Sequence, residues 1–78
     1  MLLKDTEVAA RLGMARSTIW ECVRNGTLPK PIRRGEKWSR WPSAEIDTVE
    51  AAITSGASDD ELRSLAAELV AARRRVAA

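Results

Sequence analysis

The chain has 78 residues, 45% of them hydrophobic, with no histidine and a single cysteine. A chain this short forms one small domain, near the lower limit of what a single hydrophobic core stabilises. The composition excludes a zinc site built from Cys and His and a disulfide framework. No apolar run approaches the roughly 20 residues of a membrane span, and the start is too short for a signal peptide. We therefore expect a complete, small cytoplasmic protein.

The formal net charge of +2 conceals an asymmetry along the chain. Residues 1–42 carry nine Lys and Arg against four Asp and Glu, which gives +5. Residues 43–78 carry four Arg against seven acids, which gives −3. A positive half on so small a chain favours an anionic partner such as nucleic acid, although a merely solvated surface has the same composition.

Two short helices are predicted in the first third of the chain. Residues 5–12 place Val8 and Leu12 on one helix face, and Gly13 follows as a stop signal. Residues 16–26 carry an apolar stripe at i, i+3 and i+4 and end in Asn-Gly. Because a three-residue connection containing glycine joins them, the two segments are typical of a helix-turn-helix.

Residues 28–41 favour extended backbone, because two prolines interrupt any helical pattern. Two β-prone segments, Ile32–Arg33 and residues 37–41, flank a turn with glycine and predict a small β-hairpin. A two-stranded hairpin is not stable alone. We therefore expect it to pack on the helices, with Trp41 as its anchor.

Two further helices are predicted after the hairpin. Pro42 suits the first turn of a helix that runs to about Ile53. Ser58 and Glu61 have the spacing of a capping box and start a last helix over residues 59–76. The predicted fold class is therefore mainly α with a small β-hairpin.

Several motifs occur in a fixed order between residues 2 and 53: Glu7-Val8-Ala9, Leu12-Gly13, Arg16-Ser17-Thr18-Ile19-Trp20, Gly26, Leu28-Pro29-Lys30-Pro31, Gly35, Trp41 and Glu45-Ile46-Asp47. In this order and spacing the segment resembles the AlpA-like phage and prophage regulators. It is similar, more loosely, to excisionases and to the DNA-binding domains of MerR-type proteins. The chain departs from the family pattern at Ala15 and Ala44, where serine is common at the start of a helix.

The resemblance implies a winged helix-turn-helix over residues 1–54 that binds double-stranded DNA, followed by an amphipathic C-terminal helix over residues 57–78. The second helix would enter the major groove, and the hairpin would be the wing on the backbone or minor groove. Family members regulate transcription of phage genes or direct recombination, in the bacterial cytosol or a phage-infected cell. The alternatives are an excisionase-type factor that bends DNA and a protein-interaction module that docks on an integrase or another regulator.

The implied DNA interface comprises eleven residues: Arg16, Ser17, Thr18, Trp20, Glu21, Arg24, Lys30, Arg33, Arg34, Lys37 and Arg40. Base contacts come from the N-terminal, outward part of a recognition helix, where Arg16 and Ser17 lie. Arginine pairs with guanine through two hydrogen bonds, serine and threonine tolerate several bases, and glutamate accepts from cytosine. Arg24 lies two turns further on and is assigned to phosphate. The alternative for each is an ordinary exposed helix face, which for Glu21 is equally favoured.

Other members of this interface also keep two interpretations. Trp20 either donates its N–H to a phosphate or packs beneath the hairpin as part of the core. The cations of the hairpin either follow phosphates or protect an exposed strand edge. Trp38 and Arg40 share one strand face, so we expect the guanidinium to stack on the ring. Cys22 is interpreted as a small core residue.

No catalytic constellation is present in the sequence, which has no Ser–His or Cys–His pair and no Gly-rich phosphate loop. The acids at residues 59–61 suit a helix start, as Asp5 or Thr6 suits the start of the first helix. We interpret Arg73–Arg75 as a solvated helix end. We therefore expect no enzymatic activity, no metal and no cofactor.

The C-terminal helix carries a clear apolar stripe: Leu62, Leu65, Leu69 and Val70. A winged domain is complete near residue 54, so this stripe needs a partner. It either packs back on the domain or pairs with the same helix of a second chain. We expect the homodimer, because Gly56 and Ala57 allow the helix to leave the domain.

Overall fold

The computed structural model describes the backbone of residues 1–77 and the side chains of residues 1–74. Within this range the elements follow in the order β1 (Leu2–Leu3), α1 (Asp5–Leu12), α2 (Arg16–Asn25), β2 (Ile32–Arg34), β3 (Trp38–Pro42), α3 (Ser43–Thr54) and α4 (Asp59–Ala77). The fold is mainly helical with a small antiparallel sheet, as predicted. It is compatible with a winged helix-turn-helix followed by a C-terminal helix.

The turn between α1 and α2 forms where the sequence places it. Gly13 adopts a left-handed backbone with φ of 67°, and its N–H donates to the carbonyl of Ala9. Gly26 ends α2 in the same way with φ of 88°. Glycine adopts this conformation without the steric cost that a side chain adds, so both helices stop sharply. At the other end, α2 begins after Ala15 with no side-chain cap hydrogen bond.

The sheet has three strands in the order β1-β3-β2. The hairpin formed by β2 and β3 pairs Ile32 with Arg40 and Arg34 with Trp38. Its second strand begins one residue later than predicted and ends at Pro42. The sequence did not predict β1, whose Leu3 pairs with Trp41 on the other edge of β3.

Trp41 lies at the centre of the core, as predicted. Its side chain is 0% exposed, and its indole N–H donates to the carbonyl of Pro29 at 2.8 Å. This hydrogen bond satisfies the polar end of a buried ring and ties the hairpin to the loop after α2. Eight buried residues form the main core cluster: Leu3, Val8, Ala9, Ile19, Leu28, Trp41, Ile46 and Val49.

Helix α3 joins the core through its first turns. Ile46 and Val49 are buried, whereas Ile53 in the last turn is 39% exposed. Ala52 in the same turn is half-buried, so the last turn of α3 is only partly exposed. On its outer side, Asp47 and Glu50 both form ion pairs with Arg11 of α1.

The capping box at the start of α4 is confirmed. The N–H of Glu61 donates to Oγ of Ser58 at 3.2 Å, and the N–H of Ser58 donates to Oε1 of Glu61 at 3.0 Å. Hydrogen bonds from the Ser58 backbone and side chain lower the pKa of Glu61. The reciprocal pair satisfies two of the N–H groups that a helix start leaves open.

In the structure α4 packs back on the domain. Leu65 and Leu69 lie half-buried against the core, and Ala66 beside them is buried. Arg63 donates through Nε to the carbonyl of Asn25, the last residue of α2, at 2.9 Å. The apolar stripe therefore has a partner within the chain, and its other two members, Leu62 and Val70, are half-buried. The homodimer expected from the sequence stays a prediction.

One part of the arginine run is not solvated, contrary to the prediction. Arg73 forms a two-pronged ion pair with Glu45, Nε to Oε2 at 2.7 Å and Nη2 to Oε1 at 2.5 Å. Glu45 lies in the first turn of α3 and is buried, so this pair fixes the far end of α4. Arg74 is exposed as expected, and the side chain of Arg75 lies outside the described residues.

Candidate nucleic-acid interface

A cleft of about 580 Å³ opens between the start of α2 and the hairpin. We call it the basic cleft, and its lining residues are Lys4, Asp5, Arg16, Trp20, Arg33, Glu36, Lys37, Ser39 and Arg40. Five of them are cations and two are carboxylates, so the cleft carries an excess of positive charge. The fold thus gathers cations from four separate stretches of sequence.

The burial of α2 determines which of its residues face solvent. Ile19 is fully buried, and Cys22 and Val23 lie half-buried against the core, as the apolar stripe predicts. The opposite face carries residues of the predicted DNA interface. Arg16, Ser17, Glu21 and Arg24 are exposed, and Thr18 is half-buried.

Asp5, predicted only as a candidate helix cap, connects the start of α1 to α2. Its Oδ2 accepts hydrogen bonds from Nε of Arg16 at 2.6 Å and from Nε1 of Trp20 at 3.0 Å. Its Oδ1 accepts from the backbone N–H of Thr6 at 2.8 Å. Burial raises the pKa of Asp5, but the bonds from Arg16, Trp20 and Thr6 together outweigh burial and lower the pKa.

Of the two positions predicted for Trp20, the structure shows the one in which the ring packs beneath the hairpin. Its ring lies 5.4 Å from that of Trp41, centroid to centroid, with the planes tilted by 55°. Arg33 of the hairpin lies over the same ring, with the guanidinium carbon 5.7 Å from the ring centroid. The indole N–H is bonded to Asp5. Trp20 therefore forms the floor of the cleft and connects the core to the hairpin.

The hairpin presents its cations on both strands. Arg40 stacks on Trp38 at 4.8 Å, which confirms the predicted cation–π contact, and its Nη1 donates to the carbonyl of Ser39. Arg33, Arg34 and Lys37 are exposed. A guanidinium held on an aromatic ring loses little freedom when it contacts a second group.

The basic cleft does not contain every predicted site residue. Arg34 is absent from its lining, as are four residues of α2, namely Ser17, Thr18, Glu21 and Arg24. Lys30 lies instead at the edge of a separate apolar groove between the end of α2 and α4. Sequence reasoning missed Lys4, Asp5, Glu36 and Ser39. Lys4 follows β1, so its place at the cleft depends on a strand that the sequence did not predict.

Neither a metal-binding cluster nor a membrane-spanning helix is found among the described residues. No three His, Cys, Asp or Glu side chains in that part of the chain group as a metal site requires. Among helices whose backbone is described, none combines the length and apolarity needed to cross a membrane.

The fold and the basic cleft define a small helix-turn-helix protein with a cationic hairpin beside its second helix. The family model described as "Prophage CP4-57 regulatory protein (AlpA)" matches residues 1–48, which is more than half of the chain. The chain belongs to this AlpA family of phage regulatory proteins. No curated protein and no solved structure matches it. The match ends within α3, so α4 lies outside it.

Proposed function

We propose that the protein binds double-stranded DNA in a sequence-specific manner and regulates transcription of phage or prophage genes. The observation that carries this proposal is the basic cleft, which lies between α2 and the hairpin in a chain of the AlpA family. We favour transcriptional regulation over an excisionase-type role because the matching family is described as regulatory. Pairing of two chains through α4, which the sequence favoured, and docking on an integrase are alternatives that no observation tests.

In this proposal α2 is the recognition helix. The major groove of B-DNA is about 12 Å wide and admits one α-helix. Arg16, Ser17 and Glu21 are exposed, and the buried Ile19 fixes which face of α2 is turned outward. Arg16 would bond a guanine, while Ser17 and Glu21 would contact neighbouring base edges.

The hairpin acts as the wing. Phosphate contacts position a protein on the duplex without reading its sequence. Arg33 and Lys37 line the basic cleft, and Arg34 is exposed at the end of β2. Arg40, held on the Trp38 ring, would contact the backbone with little further loss of freedom.

The test is the salt dependence of binding to a fluorescent random-sequence duplex, measured by anisotropy between 50 and 200 mM salt. If four cations of the cleft each neutralise one phosphate, the log–log slope is about −3.6, a loss of about 150-fold in affinity. A matched pair of variants controls for charge alone. Arg33→Ala should reduce the slope by about 0.9, whereas Arg74→Ala, at an exposed position of α4, should leave it unchanged. Affinity that does not change with salt would favour the protein-interaction alternative.

A further inference from the structure

We propose that Asp5 is a positioning residue for Arg16, and that it sets how the recognition helix reads one base. The carboxylate lies at the start of α1, outside the recognition helix, yet bonds two side chains of α2. This inference rests on the proposed function, because a positioned Arg16 matters only if α2 contacts base edges.

The position of the Asp5 carboxylate is itself fixed by the core. Its side chain is only 18% exposed, and it accepts hydrogen bonds from three donors. One of these donors is the indole of Trp20, whose ring packs against the fully buried Trp41. The carboxylate that contacts Arg16 is therefore held in one position, unlike the carboxylates of most ion pairs on a protein surface.

The contact also determines which part of Arg16 remains free. Asp5 bonds Nε, the inner nitrogen of the guanidinium. Within the described residues no other group accepts a hydrogen bond from Arg16, and its side chain is 68% exposed. The two terminal nitrogens form the fork that fits O6 and N7 of guanine. Fixing the inner nitrogen thus orients the fork before DNA is bound.

An acidic residue in a basic cleft has a second, opposite effect. A carboxylate repels phosphate, so its removal strengthens binding to every duplex if charge alone matters. Removal of a positioning residue instead weakens the preference for one base. Ordering one long side chain in advance saves free energy equivalent to a factor of about 2 to 12 in affinity. The two effects are separable, because one changes affinity for all sequences and the other changes discrimination.

The experiment is selection from a pool of randomised DNA duplexes, with sequencing of the bound fraction. Wild type should show a strongly preferred guanine at one position, and Arg16→Ala should lose that preference. Asp5→Asn should reduce the preference at the same position by about 2- to 12-fold, leaving the other positions unchanged. Glu36→Ala is the matched control. It removes the other carboxylate of the cleft and should strengthen binding without changing the base profile.

A double variant separates positioning from general damage to the fold. If Asp5 acts through Arg16, then Asp5→Asn added to Arg16→Ala should change the base profile no further. Thermal unfolding of each variant shows which proteins remain folded, and Asp5→Ser replaces Asp5→Asn if the latter does not fold. An unchanged wild-type profile in the folded Asp5 variant overturns the inference while the proposed function stands. A wild-type protein that does not bind duplex DNA overturns both.

Discussion

Replacing Arg73 by alanine should lower the free energy of unfolding by about 2–3 kcal/mol. The change leaves the Glu45 carboxylate, whose side chain is 10% exposed, without the two hydrogen bonds that it accepts. Removing one partner of a buried ion pair costs about 3–5 kcal/mol. We expect a cost at or somewhat below the lower end of that range, because Arg73 is itself 21% exposed and Glu45 lies in the first turn of α3, where the helix dipole favours negative charge.

A loss of this size is large for a chain of 78 residues. A protein of this length has a total stability of roughly 4–12 kcal/mol, so Arg73→Ala should lower Tm by about 10–20 °C. Urea unfolding followed by tryptophan fluorescence measures the change. Arg74→Ala, which removes the same charge from the exposed neighbour, should stay within about 0.5 kcal/mol of wild type.

The opposite deletion provides a second comparison. Glu45→Ala should cost less than Arg73→Ala, because a long arginine side chain near a helix end can move its charge into water. If Arg73→Ala unfolds at the same urea concentration as Arg74→Ala, the ion pair does not hold α4 and the reasoning is refuted.

Two further predictions concern the interface. Arg16→Ala should lower affinity for a preferred duplex by about 1–3 kcal/mol and relax one base position, whereas Arg34→Ala should weaken all sequences alike; competition assays with preferred and random duplexes distinguish them. The lowered pKa of Asp5 means that its contribution to stability is complete above its ordinary pKa of 3.8 and is lost as pH falls through the lower folded value. The difference in Tm between wild type and Asp5→Asn should therefore be constant near neutral pH and shrink below about pH 4.

The elements that the sequence predicts well are those with local signals. Gly13 and Gly26 both take the left-handed conformation that ends a helix, and Ser58 and Glu61 form the capping box that their spacing indicates. Trp41 is the anchor of the hairpin because a two-stranded hairpin is not stable alone and this large ring is buried where the hairpin packs on the helices. In each case the residues that decide the structure lie within four positions of each other or have only one apolar environment available.

The contacts that the sequence did not predict join residues far apart in the chain. Strand β1 is only two residues long, so its pattern carries no period from which a strand can be predicted. The pair between Glu45 and Arg73 spans 28 residues, and that between Asp5 and Trp20 spans 15. Such pairs follow from the packing of helices, which local spacing does not specify. For the same reason the sequence alone did not decide whether Trp20 contacts phosphate or packs beneath the hairpin.

The oligomeric state that we expect depends on what the apolar stripe of α4 packs against. Leu65 and Leu69 pack on the core of their own chain, and Arg63 and Arg73 fix α4 at two places along its length. A stripe that is covered in this way does not need a second chain. We therefore expect sedimentation of the full-length protein at micromolar concentration to show a monomer, although the sequence alone favoured a dimer.

A charge placed in the stripe tests this expectation. Leu65→Asp puts a carboxylate against the core and should cost about 1–3 kcal/mol, which lowers Tm by about 5–20 °C without changing the sedimentation coefficient. Ser64→Asp adds the same charge one residue away on the exposed side of α4 and should change Tm little. A wild-type dimer that Leu65→Asp converts into a monomer of undiminished Tm would show that the stripe serves a second chain. If α4 packs on its own domain, wild type is a monomer and Leu65→Asp lowers its Tm, because the substitution removes a side chain that packs against the core.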